Sequence, residues 1–201
     1  FDVIMEFDIA TLDKTYEWWA WENGFNQGYS SELAKNVTIS RDESNRGNDE
    51  FHIVSNPEID SLPTAMRAAF INSVVYDAAN ENKLLATFFH EGKVMEIDIE
   101  TGMANPVISG LKNPHGGDRF DNHYTGTSTG AGFVAVVNRG IITHYDFSKL
   151  GGKPEFLEGM EWLQNSKNVE GNIITIDSNR NKLVIFNPEL ELIDTIDYND
   201  N

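Results

Sequence analysis

An all-β fold made of four-stranded antiparallel sheets is predicted by three features of this sequence. The chain carries 12 Phe, 6 Tyr and 4 Trp, a content that suits half-buried strand surfaces. Short apolar runs alternate with turn-forming residues, such as Asn80-Glu81-Asn82, His90-Glu91-Gly92 and Asn138-Arg139-Gly140, in the manner of hairpins between short strands. A third feature is a motif that returns along the chain. Val3-Ile4-Met5-Glu6-Phe7-Asp8-Ile9 resembles Val94-Met95-Glu96-Ile97-Asp98-Ile99, and Ile141–Phe147 and Leu183–Glu189 share its shape. Each run ends near Asp or Asn, whose side chain can close a turn.

The spacing of that motif names the architecture. From Asp98 to Asp146 is 48 residues, from Asp146 to Asn187 is 41, and from Asp8 to Asp98 is 90, close to two repeats. Periods of about 40–50 residues are those of β-propeller blades. A blade cannot bury both of its faces alone, so neighbours stack around an axis. The predicted fold is a β-propeller of four-stranded antiparallel blades, whole or partial in this chain.

Taken in order, residues 1–21 read as the outer half of a blade, with strands at Val3–Ile9 and Lys14–Trp21. Residues 22–70 read either as a degenerate blade, with strands at Asn36–Ser40 and Phe51–Ser55, or as an insertion with a short helix over Thr64–Phe70, capped by Ser61-Leu62-Pro63. Residues 71–110 form a blade with strands at Ile71–Asp77, Lys83–Phe89, Lys93–Ile99 and around Pro106–Ile108. Residues 111–158 form the next, with strands near His115–Phe120 and at Gly132–Val137, Ile141–Phe147 and Lys153–Leu157. Residues 159–201 form the last, with strands near Leu163–Val169 and at Ile173–Asp177, Lys182–Phe186 and Leu192–Tyr198. Three and a half blades do not close. Closure is what removes sheet edges in propellers, so a protein partner or further chain is expected to complete the ring.

Composition narrows the function classes. The formal net charge of −17 repels phosphate backbones and anionic lipid, so neither nucleic acid nor membrane is an expected partner. There is no cysteine, which excludes disulfides, thiolate zinc sites and cysteine nucleophiles. No run of 18 apolar residues is present, so no membrane-spanning helix is expected. The sequence starts at Phe1 with neither an initiator Met nor a signal peptide, as a processed or partial product would. Localisation is left open, leaning to a secreted or extracytoplasmic protein or a part of a larger particle.

Two family resemblances can be traced to particular residues. Gly171–Phe186, reading Gly-Asn, an apolar strand, Asp177-Ser178-Asn179-Arg180-Asn181-Lys182 and a second apolar strand, resembles the NHL-type blade. It departs at Arg180, where the pattern has Asn, and at Lys182, where it has Arg. Tyr16-Glu17-Trp18-Trp19-Ala20-Trp21, Phe70–Asp77 and Asn113-Pro114-His115-Gly116-Gly117 are similar to the Trp-rich outer strand, the His-x-Asn-Ser strand and the Gln-His-Asp motif of arylsulfotransferase-like propellers. That family pattern has His where this chain has Phe70 and Asp where it has Gly116. An Arg that it often carries is replaced within Thr87-Phe88-Phe89-His90. Sulfuryl transfer through a histidine needs a base set and positive charge on the sulfate, and only His115 carries over.

The candidate ligand-binding residues are therefore Asn72, His115, Asp118 and Arg119. No catalytic or metal-ligating residue is assigned, and no cofactor is expected. His115, flanked by small residues at the start of an inner strand, is read either as a turn cap on the tunnel wall or as a contact to an anion or metal. Asn72 and Ser73, like Asn165 and Ser166, are expected to bond to a neighbouring blade. His52, His90, His123 and His144 lack metal spacing. Calcium at Asp42, Glu43, Asp49 and Glu50 is conceivable chemically but has no EF-hand pattern behind it. Gly126-Thr127-Ser128-Thr129-Gly130 lacks the ending of a phosphate-binding loop. Trp18, Trp19 and Trp21 are read as inter-blade packing, with a sugar-stacking platform as the alternative. The function these readings favour is a non-catalytic propeller module for binding or assembly. The alternative is an arylsulfotransferase-like or lactonase-like enzyme with an axial site near His115.

Overall fold

The computed structural model of the chain describes residues 2–30, 35–42, 44, 51–56, 59–60 and 69–198. The chain divides into two compact units, Phe1–Ile71 and Asn72–Asn201.

In the first unit, β1 (Val3–Phe7) pairs antiparallel with β2 (Lys14–Trp19). Asp8 ends β1 by accepting hydrogen bonds from the backbone N–H groups of Ala10 at 2.8 Å and Thr11 at 2.9 Å. These bonds hold its carboxyl below the ordinary range, that from Thr11 first. A 3-10 turn over Ala20–Asn23 follows, ended by Gly24 at φ 90°, a left-handed position that glycine adopts without cost. Next come β3 (Gln27–Ser30), β4 (Lys35–Ser40) and β5 (Phe51–Ile53). β4 pairs antiparallel with β3 but parallel with β5, so this sheet is not an antiparallel blade. Trp19, Trp21, Ile39 and Val54 form its core, and Trp18 is 3% exposed. The tryptophans therefore pack inward, and burial removes the sugar-platform alternative. Of the helix expected over Thr64–Phe70, residues 64–68 lie outside the described residues, and Ala69 and Phe70 are not helical. Both donate backbone N–H groups to the buried Asp2 carboxylate, at 3.0 and 2.9 Å. Glu43, Asp49 and Glu50 of the acidic loop also lie outside the described residues.

The second unit holds three four-stranded sheets, each in simple meander order. Sheet one is β6 (Ile71–Asp77), β7 (Asn80–Phe88), β8 (Lys93–Asp98) and β9 (Ala104–Ile108). Sheet two is β10 (Pro114–Phe120), β11 (His123–Ser128), β12 (Phe133–Asn138) and β13 (Ile141–Asp146). Sheet three is β14 (Leu163–Val169), β15 (Asn172–Asp177), β16 (Lys182–Phe186) and β17 (Leu192–Asp197). Sheets one and two share a core of Leu85, Val94, Ile108, Leu111 and Ala135. Val134, Val136, Phe147, Ile173, Val184 and Phe186 join sheets two and three.

Sheet two differs from the sequence expectation by one strand. Its second strand is His123–Ser128, which moves Phe133–Asn138 to third place and Ile141–Asp146 to the outer edge. Lys153–Leu157 is not a strand and ends in a 3-10 turn over Glu155–Leu157. The reason is chemical. β11 reads His-Tyr-Thr-Gly-Thr-Ser and has no apolar alternation, yet Thr125, Thr127 and Ser128 are each 0% exposed. The likeness of Asp146 to Asp98 is one of turn chemistry only. Asp98 accepts from the Thr101 N–H at 2.8 Å and Asp146 from the Ser148 N–H at 2.9 Å, but Asp98 ends a third strand and Asp146 a fourth.

Candidate functional site

Inner strand β10 runs between β7 of sheet one and β14 of sheet three, and small residues let it come close to both. A Cβ on Gly117 would lie 2.5 Å from Val94 Cγ1, and one on Gly116, at φ 53°, would lie 1.5 Å from Asn165 Oδ1. Hydroxyl groups bridge these approaches. Thr87 Oγ1 accepts from the Gly117 N–H at 2.7 Å and from Ser73 Oγ at 2.7 Å. Thr127 Oγ1 lies 2.5 Å from Ser166 Oγ, which lies 2.8 Å from Thr175 Oγ1. Each of these buried hydroxyls thus has a partner, as buried polar groups require.

The four candidate residues are distributed along this framework. Asn72 Nδ2 donates to the Pro114 carbonyl at 2.9 Å, while its Oδ1 is buried with no hydrogen-bond partner among the described residues. His115 Nδ1 lies 2.7 Å from Thr129 Oγ1 and 3.2 Å from the Asn113 carbonyl. Its ring stands edge-on to Phe89 at 5.8 Å. Burial lowers the His115 pKa, with the Asn113 bond opposing, which favours the neutral ring. Asp118 and Arg119 lie farther along β10, and strand alternation sends them opposite ways. Asp118 turns to sheet three, accepting from the Asn168 N–H at 2.8 Å and pairing with Lys167 Nζ at 3.1 Å.

Arg119 turns to sheet one. One guanidinium nitrogen donates to Asp77 at 2.7 Å and to Tyr124 Oη at 3.1 Å, and Nε donates to the Asp121 carbonyl at 2.8 Å. Its guanidinium also lies over the Tyr124 ring, 4.7 Å from the centroid. Tyr124 in turn donates to Glu96 at 2.9 Å, and Lys83 bonds to the other oxygen of Glu96. Burial, then the Glu96 carboxylate, push the Tyr124 phenol up to about 12. Burial works against the Arg119 charge, but Asp77 more than offsets it and its pKa is raised. Asn72 and His115 therefore sit at the starts of inner strands, apart from the Arg119 cluster.

Sequence reasoning missed Arg180, the departure from the NHL-type pattern. It is a buried latch from sheet three to the segment after β13. It donates to the carbonyls of Phe147 at 3.0 Å and Leu150 at 2.8 Å, to Asp177 at 2.8 Å and to Glu161 at 2.8 Å. Lys153 also reaches Glu161, at 2.7 Å. Burial raises the Glu161 pKa, but the bonds from Arg180 and Lys153 outweigh it and leave it below its ordinary 4.5. The signal available in the sequence was the Asp177-x-x-Arg180 spacing, which closes an i, i+3 ion pair.

Clefts flank sheet two: a small one of about 240 Å³ lies between His123, Val136, Asn138, Ile141 and Pro188, and two others are larger. One, of about 500 Å³, lies beside the start of β10, between Asn113, Gly130, Asp146, Glu161 and Trp162. The other, of about 410 Å³, lies at the opposite end of the sheet, between Arg119, Asn122, Tyr124, Arg139, Val107 and Val137. Among the described residues, no group of three or more His, Cys, Asp or Glu is placed to hold a metal ion.

No family model matches the chain, and no curated protein matches its sequence. Solved structures do. Virginiamycin B lyase from Staphylococcus aureus superposes with a TM-score of 0.51 at 12% identity, over 87% of this chain and 50% of the lyase. A streptogramin B lyase gives 0.51 at 10% identity, over 94% of this chain and 52% of that one. A catalytically inactive form of the Staphylococcus aureus enzyme with quinupristin gives 0.50 at 11% identity, over 90% and 51%. The chain spans about half the length of the lyases it matches. At this identity the likeness carries the fold alone: the sheets are those of a β-propeller.

Proposed function

We propose that the chain is a non-catalytic binding and assembly module whose partner is a further protein β-sheet stacked on the free face of sheet three. One observation carries the reading. Ile174 pairs with Ile185 and Ile176 with Leu183, which pairs with Ile196, so these five side chains share one face. That face is only partly covered, with Ile196 48% exposed. The opposite face, with Ile173, Val184 and Phe186, is buried against sheet two. In sheet one both faces are buried, Leu84, Ala86, Met95 and Ile97 on one and Leu85 and Val94 on the other. An uncovered aliphatic sheet face is the kind of surface that marks an interaction site, and the half-length match to the lyases agrees with it. The partner is a sheet with an apolar face. Among the described residues nothing charged contacts His115, whose hydrogen-bond partners are a carbonyl and a hydroxyl, so the reading needs no proton-transfer set.

The test is the mass of the protein in solution across a concentration series. Self-association that Ile185→Glu abolishes, with the fold intact by circular dichroism, is the expected result. A chain that stays monomeric, and whose binding of an apolar-surface dye is unchanged by Ile185→Glu, would overturn the reading.

A further inference from the structure

The cleft between sheets one and two holds the second feature that the fold does not need for its own packing. Its walls come from three places. β9 supplies Val107, β12 supplies Val137, and two hairpin ends supply the polar groups. The turn between β10 and β11 carries Asn122, beside Asp121 at φ 51°, and the turn between β12 and β13 is Arg139 at φ 49° followed by Gly140 at φ 78°. Two consecutive residues at positive φ make a tight hairpin turn, a place where Asn serves better than a long side chain. Most lysines and arginines of this unit are ion-paired within it. Among the described residues Arg139 has no hydrogen bond or ion pair, although the chain has 32 acidic residues to offer it.

Arg119 is the other cation of this cleft. Asp77, itself 0% exposed, holds it from behind, and Tyr124 and the Asp121 carbonyl fix its plane. Those bonds use one terminal nitrogen and Nε. The second terminal nitrogen has no partner among the described residues. A guanidinium held in place at two of its nitrogens, with the third free, is pre-organised to give that nitrogen's N–H groups to an oxyanion. The valines opposite make the cleft larger and more apolar than a bare inorganic ion needs.

We propose that this cleft binds a small organic carboxylate, its head on Arg119 and Arg139 and its apolar body against Val107 and Val137. The site is independent of the free face of sheet three. The test titrates the whole chain with benzoate, acetate and sulfate, followed by calorimetry and by the guanidinium NMR signals. Chloride at about 0.15 M screens long-range repulsion by the acidic surface. Benzoate is expected to saturate, to move the Arg119 and Arg139 signals and to bind more tightly than acetate. Arg139→Asn, which suits the turn, is expected to weaken benzoate about tenfold without lowering the melting temperature. Arg139→Lys keeps a point charge without the fork and is expected to fall between. Benzoate binding untouched by Arg139→Asn, saturation by sulfate alone, or no saturable response to any of the three would overturn the assignment.

Discussion

Arg180 and Arg119 stand at the two seams of one three-sheet unit, and the chain uses them differently. Arg180 is 1% exposed at its side chain, and its donors end on three carbonyls and two carboxylates. Arg119 is 17% exposed, hydrogen-bonds one carboxylate, Asp77, with Glu96 at 4.0 Å, and opens onto a cleft. The lesson lies in how completely each fork is occupied. A guanidinium with all three nitrogens engaged joins two parts of a chain, whereas one with a nitrogen left over still has bonds to give.

Removing the fuller fork should do the most damage. Arg180→Ala leaves Glu161 and Asp177 buried without their cation, and breaking a buried pair in this way costs about 3–5 kcal/mol. Urea unfolding should show that loss, and a loss below about 1 kcal/mol would mean that Arg180 is not the latch described. Arg119→Ala should cost less, about 1–3 kcal/mol, because it strands only Asp77. Equal losses at the two sites would break the comparison. The smallest effect should come from acid. The folded Glu161 pKa lies below its ordinary 4.5. The stability it supplies is therefore complete above that value and disappears as pH falls through the lowered one. Acid unfolding followed by amide exchange should release the segment after β13 before β6 and β7. Release in the opposite order would assign the acid-sensitive seam to Arg119.

Much of this architecture was legible in the sequence, and the failures have causes. β14 to β17 were placed nearly to the residue, because Ile173–Asp177 and Lys182–Phe186 are short apolar, β-branched runs between turn signals. β11 was missed because a strand whose inward side chains are threonine and serine looks like a loop until hydroxyl partners arrive from elsewhere. Ser166, which meets Thr127, is 39 residues away in sequence. The parallel pairing of β4 with β5 has no local signature. At the candidate site, His115 and Arg119 could be singled out by residue type, but their settings could not. Pro114, which accepts from Asn72, and Asp77, which holds Arg119, are each 42 residues from their partners. Arg180 was visible only as a departure from a pattern, since its carbonyl acceptors lie about 30 residues upstream.

The glycines of β10 have a geometric consequence. Gly116 and Gly117 thin the inner border of the stack, while Tyr145, Phe147 and Phe186, with ring centroids 4.7–5.8 Å apart, thicken it farther out. Layers that are narrow on one side and wide on the other form wedges, and wedges laid side by side describe an arc. The radius of that arc is then written in side-chain volume, so bulk added at the thin border would flatten the curve, and bulk removed from the aromatic side would do the same.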